Sequence, residues 1–94
     1  METKQFRAVL AAHALRSMAF AQRDGRRVDL DALVAELGVR RVDVRGTLSS
    51  LHEEGLLDVT RMRLTLTGFA TGVALAGEEL TPLRALPPFR CAAA

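Results

Sequence analysis

Tryptophan and tyrosine are absent from the 94 residues, and four phenylalanines are the only aromatics, 4% of the chain. A core without large rings must draw on Leu, Val and Ala packed at short range, which favours helices. The single cysteine, Cys91, excludes a disulfide framework and a cysteine-based metal site within one chain, and it makes the cytoplasm the expected compartment. The three prolines, Pro82, Pro87 and Pro88, all fall near the end, so no ring constraint interrupts anything before them. A membrane-spanning helix needs about 20 apolar residues. The longest uncharged run, residues 64–77, is shorter and is threaded with Thr and Gly. A secretory leader is not expected either. Lys4 and Arg7 precede an apolar stretch and Ala19-Phe20-Ala21 imitates a cleavage site, but Glu2, His13 and Arg16 interrupt the pattern. Charge of one sign is also scarce: thirteen Lys plus Arg against eleven Asp plus Glu give +2, too little for net charge to name a partner.

What is present reads as one small folded domain, with 49% hydrophobic and 26% charged residues. Residues 3–23 hold no Gly or Pro and are rich in Ala, Leu and Met, which predicts a helix stopped by Arg23-Asp24-Gly25. Its apolar side chains, Phe6, Val9, Leu10, Ala12, Leu15, Met18 and Phe20, point nearly all round the wheel. Either a second chain covers one face or alanine tolerates exposure. Arg26-Arg27-Val28 reads as a short extended piece, and Asp29 as the N-cap of a helix over residues 30–37 that Gly38 ends. Val28 and Leu33 have the spacing of a hydrophobic staple. A third helix runs from Arg41 or Val42 to Glu54, with Val44, Leu48 and Leu51 inward and Gly55 closing it. Residues 56–59 and 62–65 read as two strands linked tightly by Thr60-Arg61. Thr67-Gly68 then opens a fourth helix through Phe69, Val73 and Leu75 to Gly77, in which Gly72 costs about 1 kcal/mol relative to Ala. The domain thus covers residues 1–77, and residues 78–94 form a Pro-containing tail whose Ala92-Ala93-Ala94 has the composition of a vector remnant.

The stretch Gly38-Val39-Arg40-Arg41-Val42-Asp43-Val44-Arg45-Gly46-Thr47-Leu48-Ser49-Ser50-Leu51-His52-Glu53-Glu54-Gly55-Leu56 resembles, without insertion, the "LGVSRxTVxxxLxxLExEGL" run of bacterial winged helix-turn-helix regulators. Leu64-Thr65-Leu66-Thr67-Gly68 looks like the "LTxxG" that closes the wing in MarR-like and related families. The likeness extends from Asp29 to Leu75 and identifies no subfamily. It implies a mainly α fold with a small β-hairpin, in the order helix, short strand, two helices of the helix-turn-helix, a two-stranded wing and a last helix. It also implies a transcriptional regulator that places its second helix-turn-helix element in the major groove of double-stranded DNA.

On that helix the wheel sets Val42, Gly46, Ser49, Ser50 and Glu53 outward, with Arg45 on one flank and Asp43 on the other. Arg45 suits a bidentate guanine contact, Ser49 and Ser50 a base or a phosphate, and Arg40 and Arg41 phosphates at the helix start. Arg61 and Arg63 on the wing add backbone or minor-groove contacts. Three departures stand out: Arg40 replaces the usual Ser or Thr cap, Asp43 brings a carboxylate where Thr is common, and Gly46 lies inside the helix. A face this poor in bulk equally suits a protein-docking adaptor. A homodimer through the first helix, with the fourth helix and tail contributing, would read a palindromic site. No catalytic group, metal site or cofactor is expected. His13 sits among apolar residues, and His52-Glu53-Glu54 has a spacing that cannot converge on one metal. Cys91 beside Arg90 has only the barest feature of a redox-sensing thiol.

Overall fold

A computed structural model describes residues 2–80, with side chains from Phe6 onward, so the tail prolines and Cys91 lie outside the described residues. The chain runs α1 (Glu2–Arg23), α2 (Leu30–Leu37), α3 (Arg41–Glu53), β1 (Leu57–Asp58), β2 (Arg63–Leu64) and α4 (Leu66–Leu75). The result is a mainly helical fold with one antiparallel hairpin, Leu57 opposite Leu64 and Asp58 opposite Arg63.

Local chemistry sets most of the boundaries. Gly25 follows α1 with a φ of 75°, and the Arg26 N–H closes onto the Ala21 carbonyl at 2.8 Å. The Asp29 carboxylate accepts from the Ala32 N–H at 2.8 Å, a side-chain N-cap for α2. Gly38 ends α2 in the left-handed conformation, its N–H on the Val34 carbonyl. Thr65 does two jobs at the start of α4: its hydroxyl accepts from the Gly68 N–H at 3.1 Å and donates to the Gly55 carbonyl at 2.7 Å. The helix therefore begins at Leu66, slightly ahead of the expected Thr67-Gly68 start.

Helix α1 is the hub, touching α2, α3, β2 and α4. Phe6, Leu10, Ala14, Met18 and Ala21 are buried along one side and Leu15 and Ala19 along the next. Leu33, Val39, Val44, Leu48, Leu51, Leu57 and Leu64 complete the core. Val28 packs half-buried against that core, as the staple with Leu33 requires. Covering Leu33 fully, at 0% exposure, removes it from water for about 1.5–3 kcal/mol.

The structure departs from the sequence expectation in four places. Phe6, Leu10, Leu15 and Met18, although spread round the wheel, are buried by the other elements of the same chain, which wrap α1 from several sides, while Val9, Ala12 and Phe20 stay half-buried. Residues 26–28 form no strand, leaving a two-stranded sheet rather than three strands among the described residues. The hairpin link is four residues, not Thr60-Arg61 alone. Asp58 builds it: its Oδ1 accepts from the N–H of Thr60 at 3.0 Å and of Arg61 at 3.3 Å, and Met62 takes the left-handed φ of 52°. Gly72, finally, is more than a weak point in α4. A Cβ there would lie 2.5 Å from the Leu15 carbonyl oxygen and 2.6 Å from the Ala19 Cβ, so its bareness is what lets α4 lie against α1.

Candidate nucleic-acid interface

Four buried residues, Val44, Thr47, Leu48 and Leu51, anchor one side of α3 and fix which side is left over. The opposite side presents Val42, at 66% exposure, with Arg45, Ser49, Ser50 and Glu53. Gly46 is half-buried, yet a Cβ built on it would meet nothing within 4 Å. The apolar spacing of Val44, Leu48 and Leu51 does not mark Thr47 as inward, but its side chain is buried with theirs. The Thr47 hydroxyl is buried and has no hydrogen-bond partner among the described residues.

The helix start is arranged by charge rather than by a capping hydroxyl. Arg40 occupies the N-cap with an extended backbone and makes no side-chain cap bond. Its guanidinium turns instead to Asp43, with Nε 3.0 Å from Oδ2 and Nη2 3.4 Å from Oδ1. The Asp43 carboxylate, in the first turn of α3, also sits where a helix dipole favours negative charge. Arg41 pairs with Asp31 of α2, tying the starts of the two helices together. On the hairpin, Arg61 lies 3.8 Å from Asp58. Exposed pairs of this kind contribute at most about 1 kcal/mol. Their larger effect is on the local field: of the five arginines at the candidate surface, only Arg45 and Arg63 face solvent with no acidic partner among the described residues.

The structure gathers Arg40, Arg41, Val42, Asp43, Arg45, Gly46, Ser49 and Ser50 on α3 and its leading residue. Arg61 and Arg63 border a separate concavity, a cleft of about 650 Å³ between the hairpin, the end of α1 and residues 25–29. His52 has a positional role that its neighbours Glu53 and Glu54 disguise in the sequence. Its Nδ1 lies 3.0 Å from the Leu57 carbonyl oxygen and 3.3 Å from the Val59 nitrogen, so it holds the end of α3 to the hairpin. One tautomer donates to Leu57; the other accepts from Val59. The sequence carries one signal for this contact, a polar side chain in the last turn of a helix that leads directly into a strand. Among the described residues no group of three or more His, Cys, Asp or Glu is placed to hold a metal ion, and no helix is long and apolar enough to cross a membrane. No family model matches the chain, and neither a curated protein nor a solved structure matches it.

Proposed function

We propose that this chain is a winged helix-turn-helix DNA-binding regulator of the cytoplasm that inserts α3 into the major groove and acts as a homodimer on a palindromic site. The observation that carries this reading is the asymmetry of α3: four buried residues fix one side, and the other presents Arg45, without an acidic partner among the described residues, beside Ser49 and Ser50. An exposed arginine with no such partner among the described residues is available for the O6 and N7 acceptors of guanine. Arg40 and Arg41 exchange exposed ion pairs for phosphates at little cost, because such pairs are weak. For the dimer, α1 offers less than its sequence promises, since most of its apolar residues are used within the chain. Helix α4 supplies the stronger support. It carries no charged residue, and its Leu66 and Val73, at 86% and 40% exposure, share one outward face with Ala70 at the i+4 position between them. Catalysis has no part in this reading.

A second reading, a protein-docking adaptor, draws on the carboxylates already facing Arg40, Arg41 and Arg61, which reduce the positive field a nucleic acid would meet. Salt separates the two. A reader neutralising several phosphates loses about a hundredfold in DNA affinity between 50 and 200 mM salt. Arg45→Ala then costs about 1–3 kcal/mol on the preferred site and relaxes selection at one base position, whereas Arg40→Ala weakens all sequences alike. A flat salt response with no effect of Arg45→Ala turns the assignment to the adaptor. Sedimentation at micromolar concentration reads the oligomeric state directly, and a monomer removes the palindrome from the proposal.

A further inference from the structure

Where residues 26–28 leave the hairpin without a third strand, the cleft of about 650 Å³ remains. Its floor is apolar, with Met18, Ala21, Val28 and Met62, and its rim carries Arg26, Arg27, Arg61 and Arg63. The acidic counterweight is small. Asp29 lines the cleft but its carboxylate caps α2, and Asp24 and Asp58 stand 3.8 Å from Arg26 and Arg61, respectively. Arg27 and Arg63 are exposed and have no ion pair among the described residues.

The outer edge of β2 faces the same space. Leu64 donates its N–H not to a strand but to the side-chain oxygen of Gln22 at 3.1 Å, and Gln22 lines the cleft. Met62, next along the edge in the alternating pattern, is held in a left-handed conformation that non-glycine residues seldom adopt. The β2 edge pairs with no strand on this side, and a segment that displaced the Gln22 side chain would find the Leu64 N–H beside four arginines, which favours acid.

We propose that this cleft binds a short extended segment of a partner protein with alternating apolar and acidic residues, adding a strand beside β2. Successive side chains of a strand point to opposite faces, so apolar residues meet the Met18 and Met62 floor while carboxylates meet Arg27 and Arg63. Duplex DNA, convex and wide, meets the rim arginines without reaching the floor or the β2 edge. Arg61 and Arg63 are shared with the candidate DNA surface, but Met18, Arg26, Arg27 and Val28 lie outside it, so peptide binding here does not depend on DNA binding by α3.

The test uses the full chain and a fluorescein-labelled, N-acetylated hexapeptide of alternating valine and glutamate. Saturable binding is expected in fluorescence anisotropy. In amide NMR spectra Met62, Leu64, Arg27 and Val28 should shift while Ser49 and Ser50 stay. The double variant Arg27→Gln, Arg63→Gln should lose about a hundredfold in affinity, roughly tenfold for each charge-assisted contact, and circular dichroism checks that it folds. N-methylating alternate residues of the peptide keeps its charge and removes its strand hydrogen bonds; equal binding of that analogue overturns the proposal in favour of plain ionic attraction. Absence of peptide binding overturns it too, as does a result in which a short duplex moves the Met62 and Leu64 amides and the peptide does not.

Discussion

Gly46 in the middle of α3 and Gly72 in the middle of α4 do opposite things. At Gly72 the space for a Cβ is taken by the Leu15 carbonyl and the Ala19 side chain of α1; at Gly46 there is nothing within 4 Å to take it. Each lowers helix propensity by about 1 kcal/mol relative to alanine. In α4 that loss is offset by the close approach of two helices and the apolar surface it covers. In α3 no such close approach at Gly46 offsets it among the described residues. One region of the molecule uses its bareness for cohesion, and the other leaves it on an outward face where a second molecule can approach the backbone closely.

The contrast between the two helices is most exposed to failure at Gly68, the first close-packed glycine of α4. A Cβ there would fall 1.8 Å from the Leu56 carbonyl oxygen, and a backbone atom cannot step aside as a flexible side chain does. Gly68→Ala is expected to cost more than about 3 kcal/mol, read as a collapse of the urea midpoint; an unchanged midpoint would break the claim that α4 is seated by backbone contact. Gly72→Ala is expected to cost about 1–3 kcal/mol in the same measurement, since the Ala19 methyl can yield partway but the Leu15 carbonyl cannot. Thr47→Val tests the inner side of α3. Removing a buried hydroxyl that lacks a partner, at nearly constant shape, should raise stability by about 1 kcal/mol in chemical denaturation, whereas a loss would mean the hydroxyl is satisfied in solution. Gly46→Ala should change stability least, with a gain of about 0.5–1 kcal/mol from helix propensity alone. Should Gly46→Ala instead destabilise the chain, Gly46 and Gly72 would share one role and the contrast between the helices would vanish.

Features set by near neighbours are legible in the sequence. Asp29 as the cap of α2, Gly38 and Gly55 at the ends of α2 and α3, and Val44, Leu48 and Leu51 as the inner side of α3 all depend on residues within a turn or two of one another. Even the Arg40–Asp43 pair is within reach of the sequence, because an i, i+3 spacing brings opposite charges together on any helix start. What Asp43 does at the site is less legible, since a carboxylate there could face a base, a phosphate or an arginine; the geometry selects pairing within the chain. Asp58 and His52 are harder still. Each acts through backbone groups of the hairpin, and the position of those groups depends on a loop whose length is not evident from its residues.

Helical character, the order of the helices, most of their ends and the polar outer face of α3 are written in the residues alone, because propensity, capping and amphipathic spacing act over a few positions. Packing in three dimensions settles the rest: α1 is wrapped by its own chain, Gly68 and Gly72 are contact points, Arg41 is paired with Asp31, and residues 26–28 stay apart from the hairpin to leave a basic cleft. Each of these joins residues ten or more positions apart, where the outcome depends on how helices approach one another rather than on what any one segment prefers.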